Sequence, residues 1–461
     1  MLFGLQCEVI IYIFAADKKQ NDDTMKKRVV KNVMMLSVAL LLAGCDLIDP
    51  FNNNNNDSGK HRVITPVVFT VEEEVVADAS NDFAFRFFRA VDSIMPKDAN
   101  YVVSPYSAQV ALAMAMNGAA DSTFMQMRDV LGYKGMDIDD INSYNKKLIE
   151  GLDFVVADTR VKFANSLWIN NNHPINIPYE VLPEFSLSLL ENYNAKAEAV
   201  DFKSPDVLKY INRWCSSQTN SLIDNAVEGL SSWSVVMLLN AVCFNAPWSI
   251  PFEKKNSFKD YFHSDAGKRM VTFMKEEKVS DANRSRYIGR EKFEAVTKSY
   301  GGEGKYNFCV VMPREGITME ECLTGLTAET FIDMMKPGKR AAVLSIPKFE
   351  VENSGSVIPA LESMGIIEAF TSRADFSNLV VGLNSEDPIY ITDMTQGNLF
   401  SINEKGTEAA SVTKVEIGMF GSSGVSTEPV EFLVNRPFLF FVMENSTKTV
   451  LFAGKVSSIE Q

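Results

Sequence analysis

The chain has 461 residues, 46% of them hydrophobic and 23% charged, with a formal net charge of −14. That length buries a sizeable core as one large domain or two ordinary ones. Net acidity excludes a nucleic-acid role built on basic patches, because neutralising phosphates demands lysine and arginine. It leaves a soluble, self-repelling surface.

The first predicted element is an export signal over residues 25–44. Met25 is followed by Lys26, Lys27, Arg28 and Lys31, then the apolar run Val33–Leu42, then Leu42-Ala43-Gly44-Cys45. A basic start, a short apolar stretch and small residues before a cleavage point form a secretory signal, and a cysteine directly after them is the bacterial lipobox. Ten or so apolar residues are too few to cross a bilayer as a helix. Cys45 is therefore the expected lipidation site, on an exported lipoprotein held to an outer membrane, periplasmic or cell-surface leaflet. Residues 1–24 make no sense ahead of a signal, so Met25 reads as the true start and 1–24 as a mis-assigned one. Residues 45–76, with the run Asn52–Asn56, read as a polar tether, and 77–461 as a single domain.

Helix signals gather early in that domain. Ser80-Asn81 is a candidate cap for a helix with Phe83, Phe87, Phe88 and Val91 on one face. Ser104-Pro105 opens a second helix through Ala108–Asn117, apolar nearly all round and hence expected to be buried. A third covers roughly 205–222, and a shorter one spans Ser356–Met364 before Gly365. Strand signals follow at Val161–Ile169, Val235–Phe244, Phe308–Met312, Ala342–Ile346, Phe438–Val442 and Val450–Val456, several apolar on both phases as in strands covered on both faces. Helices first and strands later predict an α+β fold. Cys215, Cys243, Cys309 and Cys322 form no C-x-x-C pair, which argues against zinc and thioredoxin-type chemistry and predicts buried thiols.

Catalytic motifs find no foothold. His61, His173 and His263 each lie in polar surroundings and read as solvated, and Glu276-Glu277 and Glu320-Glu321 read as solvated charge rather than acid/base pairs. There is no G-x-S-x-G, no G-x-x-x-x-G-K-[ST] and no H-E-x-x-H. Residues 404–418 are more informative. Thr407, Ala409, Ser411, Thr413, Val415 and Ile417 share one phase of a two-residue period and none is charged, whereas Glu408, Lys414 and Glu416 fall in the other. This strand pattern runs into Met419-Phe420-Gly421-Ser422-Ser423-Gly424, a loop tip. Two readings stay open from periodicity alone: an edge strand with a hairpin, or a segment with an exposed and an inserted state.

Five separated motifs resemble the serpin family. They are Asn100-Tyr101-Val102-Val103-Ser104-Pro105-Tyr106-Ser107 with the helix ending Asn117-Gly118-Ala119, Phe163-Ala164-Asn165-Ser166-Leu167-Trp168, and Asn240 through Trp248 with Pro251-Phe252. The others are Glu404-Lys405-Gly406-Thr407-Glu408-Ala409-Ala410, and Phe432 through Phe440. Their order and spacing cover nearly all of 77–461. The resemblance implies about eight or nine helices, early in the chain, on three β-sheets, with an exposed reactive-centre loop over about 404–430.

It also implies a function. An inhibitory serpin offers the loop as bait, is cleaved and esterified by a protease, and inserts the loop as a strand of its main sheet, a strain-release switch. The hinge would be Glu404, Gly406, Thr407, Glu408, Ala409, Ala410 and Ser411. Ser104, Ser107, Asn240 and Gln396 fall at the shutter, where Gln396 stands in place of a common histidine. Trp248 and Lys348 fall at the breach, with Glu404 as the partner of Lys348. The family's usual spacing puts the reactive bond at Phe420-Gly421, with Met419-Phe420 as runner-up, and a phenylalanine there suits a chymotrypsin-like or elastase-like pocket. The resemblance implies no enzyme activity, no cofactor, no metal and no nucleic acid. It implies a monomer whose partners are a target protease and, through the lipid, a membrane. A non-inhibitory binding module and an inhibitor of papain-like cysteine proteases are the alternatives.

Overall fold

A computed structural model describes residues 67–152, 159–174, 180–219, 221, 223, 225–277, 285–301, 304–336, 340–381, 389–407 and 428–460. Nine α-helices lie among them: α1 (Val71–Ile94), α2 (Pro105–Met116), α3 (Asp121–Leu131), α4 (Ile138–Leu152), α5 (Pro183–Tyr193), α6 (Val207–Gln218), α7 (Met319–Gly325), α8 (Ala328–Met334) and α9 (Ile358–Met364). Six of the nine lie before Val236, as expected of an early grouping, and three lie at 319–364. The strands are β1 (Tyr101–Val103), β2 (Arg160–Asn170), β3 (Lys196–Val200), β4 (Val236–Pro247), β5 (Phe258–Ser264), β6 (Gly267–Lys275), β7 (Arg286–Gly289) and β8 (Phe293–Tyr300). They continue with β9 (Tyr306–Pro313), β10 (Arg340–Pro347), β11 (Phe349–Ser356), β12 (Ile391–Ile402), β13 (Gly406–Thr407), β14 (Val430–Leu433), β15 (Phe438–Glu444) and β16 (Val450–Val456).

The first helix begins earlier than its apparent cap. Thr70 and Glu73 form a reciprocal capping box, so α1 starts at Val71, inside the stretch assigned to the tether. Ser80 and Asn81 sit in its buried middle, where Ser80 Oγ donates to the Val76 carbonyl and meets the Tyr133 hydroxyl. A mid-helix serine that bonds back four residues imitates a cap in sequence. The phenylalanine face is as expected, with Phe83, Phe87, Phe88 and Val91 all buried. So is the second helix: every residue of α2 is buried, between α1, β16 and β4.

Strand pairing gives a six-stranded sheet in the order β11-β12-β4-β2-β3, with β13 on β4, and a ten-stranded path, β1-β16-β15-β9-β8-β7-β10-β6-β5, with β14 on β10. The expected second and third sheets are thus joined, through Arg340↔Tyr287 and Ala341↔Arg286 between β10 and β7. β4 shows why both phases of its sequence are apolar. Val236, Leu238, Val242, Phe244 and Ala246 enter the main core, while Met237, Leu239 and Ala241 meet Trp168, Ile211 and Cys215 in a second, smaller core beneath α6.

Cys215, Cys243, Cys309 and Cys322 are all buried, and burial pushes the Cys215 and Cys322 thiols up to about 12. Two polar residues depart from expectation. His173 is 6% exposed, not solvated, with its ring against Trp233 and Nε2 3.2 Å from the Trp233 carbonyl. Glu276 is not solvated charge either but an ion-pair partner of buried Lys298. His263 is exposed, and Glu321 caps α7 through Thr318.

Candidate functional site

A gap opens in the middle of the six-stranded sheet. β12 runs parallel to β4 from Ile391↔Val236 to Thr395↔Leu239, and there the pairing stops. Beyond it, β12 continues on β11 as far as Ile402↔Phe349, and β4 continues on β2 as far as Asn245↔Arg160. Among the described residues, the facing edges of 240–245 and 396–402 have no strand between them. Unpaired edges in the centre of a sheet leave backbone donors and acceptors unmet, which a native fold tolerates only for a reason.

The root of the loop is docked at the mouth of this gap. β13 pairs antiparallel with the end of β4, Gly406↔Pro247 and Thr407↔Ala246. The turn leading to it is fixed by Asn403, whose backbone N–H donates to the Gly406 carbonyl at 2.9 Å and whose Oδ1 accepts from Lys405 N at 2.8 Å. Gly406 is required on two counts: its φ is +153°, and a Cβ there would lie 2.1 Å from the Ala246 carbonyl oxygen.

Trp248 and Phe252 hold the turn from the other side. Trp248 N donates to the Lys405 carbonyl at 2.8 Å, Trp248 Nε1 to that of Asn403 at 2.9 Å, and Phe252 N to that of Glu404 at 2.9 Å. Trp248 is 2% exposed and stacks on Tyr300 with centroids 4.3 Å apart. The Tyr300 hydroxyl bonds Thr407 Oγ1 at 2.7 Å. Thr407 is 1% exposed, so its side chain takes the inward phase read from the sequence. Lys348 Nζ lies 2.6 Å from Glu404 Oε1. Burial alone would raise the Glu404 carboxyl, but hydrogen bonding to Lys348 and its charge outweigh it and hold the group below the usual carboxylate range.

At the closed end of the gap, the first residues past the last pair turn to different partners. Gln396 exchanges two hydrogen bonds with the Ser104 backbone, accepting at 3.1 Å and donating at 2.9 Å, while Ser104 Oγ caps α2 through Ser107 N. Asn240 instead donates to Asn165 Oδ1 on β2 at 2.5 Å. The fold therefore bonds Ser104, Ser107 and Gln396 together and ties Asn240 to the opposite side. Tyr106 Oη, Ser107 Oγ and Asn240 Oδ1 are buried without a protein partner. Each such atom forgoes about 1–3 kcal/mol.

Glu408, Ala409, Ala410, Ser411, Met419, Phe420, Gly421 and Cys45 lie outside the described residues. Sequence reading missed Tyr300 and Asn403. Tyr300 ends a strand directly before Gly301-Gly302, and an aromatic at a strand end before a glycine turn was the available signal.

The family model described as serpin (serine protease inhibitor) matches residues 78–459. The chain belongs to the serpin family, whose members are generally protease inhibitors rather than enzymes. Iripin-5 of Ixodes ricinus is 29% identical over 406 residues, covering 85% of this chain and 97% of that protein. An uncharacterized serpin-like protein of Thermococcus kodakarensis is 27% identical over 445 residues, 92% of this chain and 98% of its own. Among solved structures, the thermophilic serpin tengpin in its native state superposes with a TM-score of 0.74 at 30% identity, covering 87% of this chain and 98% of that one. The latent state of tengpin gives a TM-score of 0.69 at 28% identity, covering 85% of this chain and 100% of that one.

Proposed function

We propose that this serpin inhibits serine endopeptidases of chymotrypsin-like or elastase-like specificity by covalent trapping, with insertion of the cleaved loop into the gap between β4 and β12. One observation carries the reading: the loop root already occupies the mouth of that gap, antiparallel to β4 with Thr407 facing inward. Continued in the same register, Ala409, Ser411 and Thr413 would come opposite Phe244, Val242 and Asn240. All three are small, and Thr413 would meet an unpartnered Asn240 Oδ1. Insertion of about a dozen residues forms on the order of ten to twenty ladder bonds at about 1 kcal/mol net each. Burying Val415 and Ile417 adds about 2–3 kcal/mol apiece. A sum of that size rivals the stability of a whole domain, so the uninserted protein is a kinetic trap.

The test is incubation with a chymotrypsin-like enzyme. An adduct that survives denaturant, joined through the acyl group of Phe420 or, as runner-up, Met419, is the expected product by mass spectrometry. Clean cutting of the loop with fully active protease left over would overturn inhibition in favour of a binding module, and an adduct only with papain-like enzymes would move the target class. We further propose that the protein works at a membrane surface through lipid on Cys45. Cys45→Ala is expected to shift the expressed protein from the detergent phase to the aqueous phase, and equal partition would remove the anchor.

A further inference from the structure

We propose that the buried Glu276–Lys298 ion pair joins the two roots of the reactive-centre loop and restrains the uncut loop from entering the sheet; the second half of this statement rests on the inhibitory reading above. Lys298 Nζ lies 2.6 Å from Glu276 Oε1, with the side chains 4% and 12% exposed. On the carboxylate side, Oε1 also accepts from Ser285 Oγ at 2.8 Å and Oε2 from Leu344 N at 3.0 Å, while Glu276 N donates to the Leu344 carbonyl. Leu344 is the residue of β10 that pairs with Phe432 of β14, where the chain re-enters the sheet after the loop.

On the ammonium side, Lys298 Nζ sits 4.6 Å from the centroid of Phe252 and 5.6 Å from that of Trp248. These are the two residues whose backbone N–H groups hold the Glu404 and Lys405 carbonyls. One ion pair thus touches the holders of 403–407 and of 430–433. An apolar side chain would fill the same space without desolvating two charges, so stability alone does not account for the pair; specifying one arrangement does.

Chain length shows what such a joint restrains. An uncut loop inserted by a dozen residues travels about 40 Å into the sheet, and the eleven or so residues then left before Val430 span no more than that when fully stretched. Insertion without cleavage must therefore strip β14 from β10, while the near root keeps the register it already has on β4. That displacement pulls on Leu344 and through it on Glu276–Lys298, whose other end is fixed at Trp248 and Phe252. Cleavage frees the far root and needs no such displacement.

The experiment compares wild type with Glu276→Gln, Lys298→Met and the double variant, which leaves no orphan charge and serves if the single variants fold poorly. Lys455→Met is the control, since buried Lys455 and partly exposed Asp92 form another ion pair at 2.6 Å over an aromatic ring, Tyr101. Hydrogen exchange is read at Trp248 N and Phe252 N for the near root, and at Val434 N, which donates to the Ser345 carbonyl, for the far root. The pair variants are expected to speed exchange at both roots at least tenfold, with the control unchanged. Acceleration at one root alone, at neither, or equally in Lys455→Met would overturn the joint. Freshly purified, uncut variants are also expected to lose protease-trapping capacity at least tenfold faster than wild type, and an unchanged loss rate would overturn the restraint. A wild type that traps no protease sinks the inhibitory reading, while the exchange result stands on its own.

Discussion

Thr407→Arg is expected to turn a one-to-one trap into a cut substrate. Thr407 is the loop residue already seated against β4; its Oγ1 bonds the buried Tyr300 hydroxyl and it is 1% exposed. An arginine there would have to place a guanidinium against the stacked Tyr300–Trp248 pair with no carboxylate in the bonds described around it. An uncompensated buried charge costs several kcal/mol. Insertion competes with hydrolysis of the acyl-enzyme, so a barrier raised by about 3 kcal/mol slows it on the order of a hundredfold and hands the race to water. Titration of protease activity should show the inhibitor-to-enzyme ratio rising more than tenfold, with loop cleavage intact. Thr407→Ser keeps the hydroxyl and should behave as wild type. A Thr407→Arg protein that still captures enzyme one to one would mean that trapping does not begin at this residue.

The second large effect is thermal. Protein cut once at the loop tip is expected to melt on the order of 20 °C or more above the intact chain, since ladder bonds and burial worth tens of kcal/mol shift a domain of this size by that much. The edges of β4 and β12 would gain a strand, and the unpartnered Asn240 Oδ1 would gain a donor. Calorimetry before and after limited proteolysis decides it. Equal melting temperatures would leave the gap a static feature and remove the stored energy on which the mechanism depends.

Much of this arrangement was legible in the chain because it depends on local chemistry. The two-residue period placed Thr407 on the inward face, and the Ala/Met helix after Ser104-Pro105 is buried on every side because no position offers a polar face. Glu404 and Lys348 meet as the family resemblance implied. The misreadings share a physical cause: a residue's fate was decided by a distant partner. Glu276 beside Glu277 looks solvated until β8 folds Lys298 against it. His173 is buried because Trp233 closes over it, 60 residues on. Asn240 and Gln396 are neighbours in register yet bind to opposite sides, which no spacing in the sequence records. Tyr300 matters only because the loop root arrives above it.

The small core under α6 has one more consequence. Trp168, Tyr210 and Trp214 interlock edge to face there, and Met237, Leu239 and Ala241 of β4 complete the contact. In the register set by Gly406 and Thr407, Val412 and Lys414 would arrive opposite Ala241 and Leu239, beneath this roof rather than in water. If insertion proceeds as proposed, the roof would have to lift for each incoming residue and settle again behind it, and the speed of the trap would belong to the helix as much as to the bait.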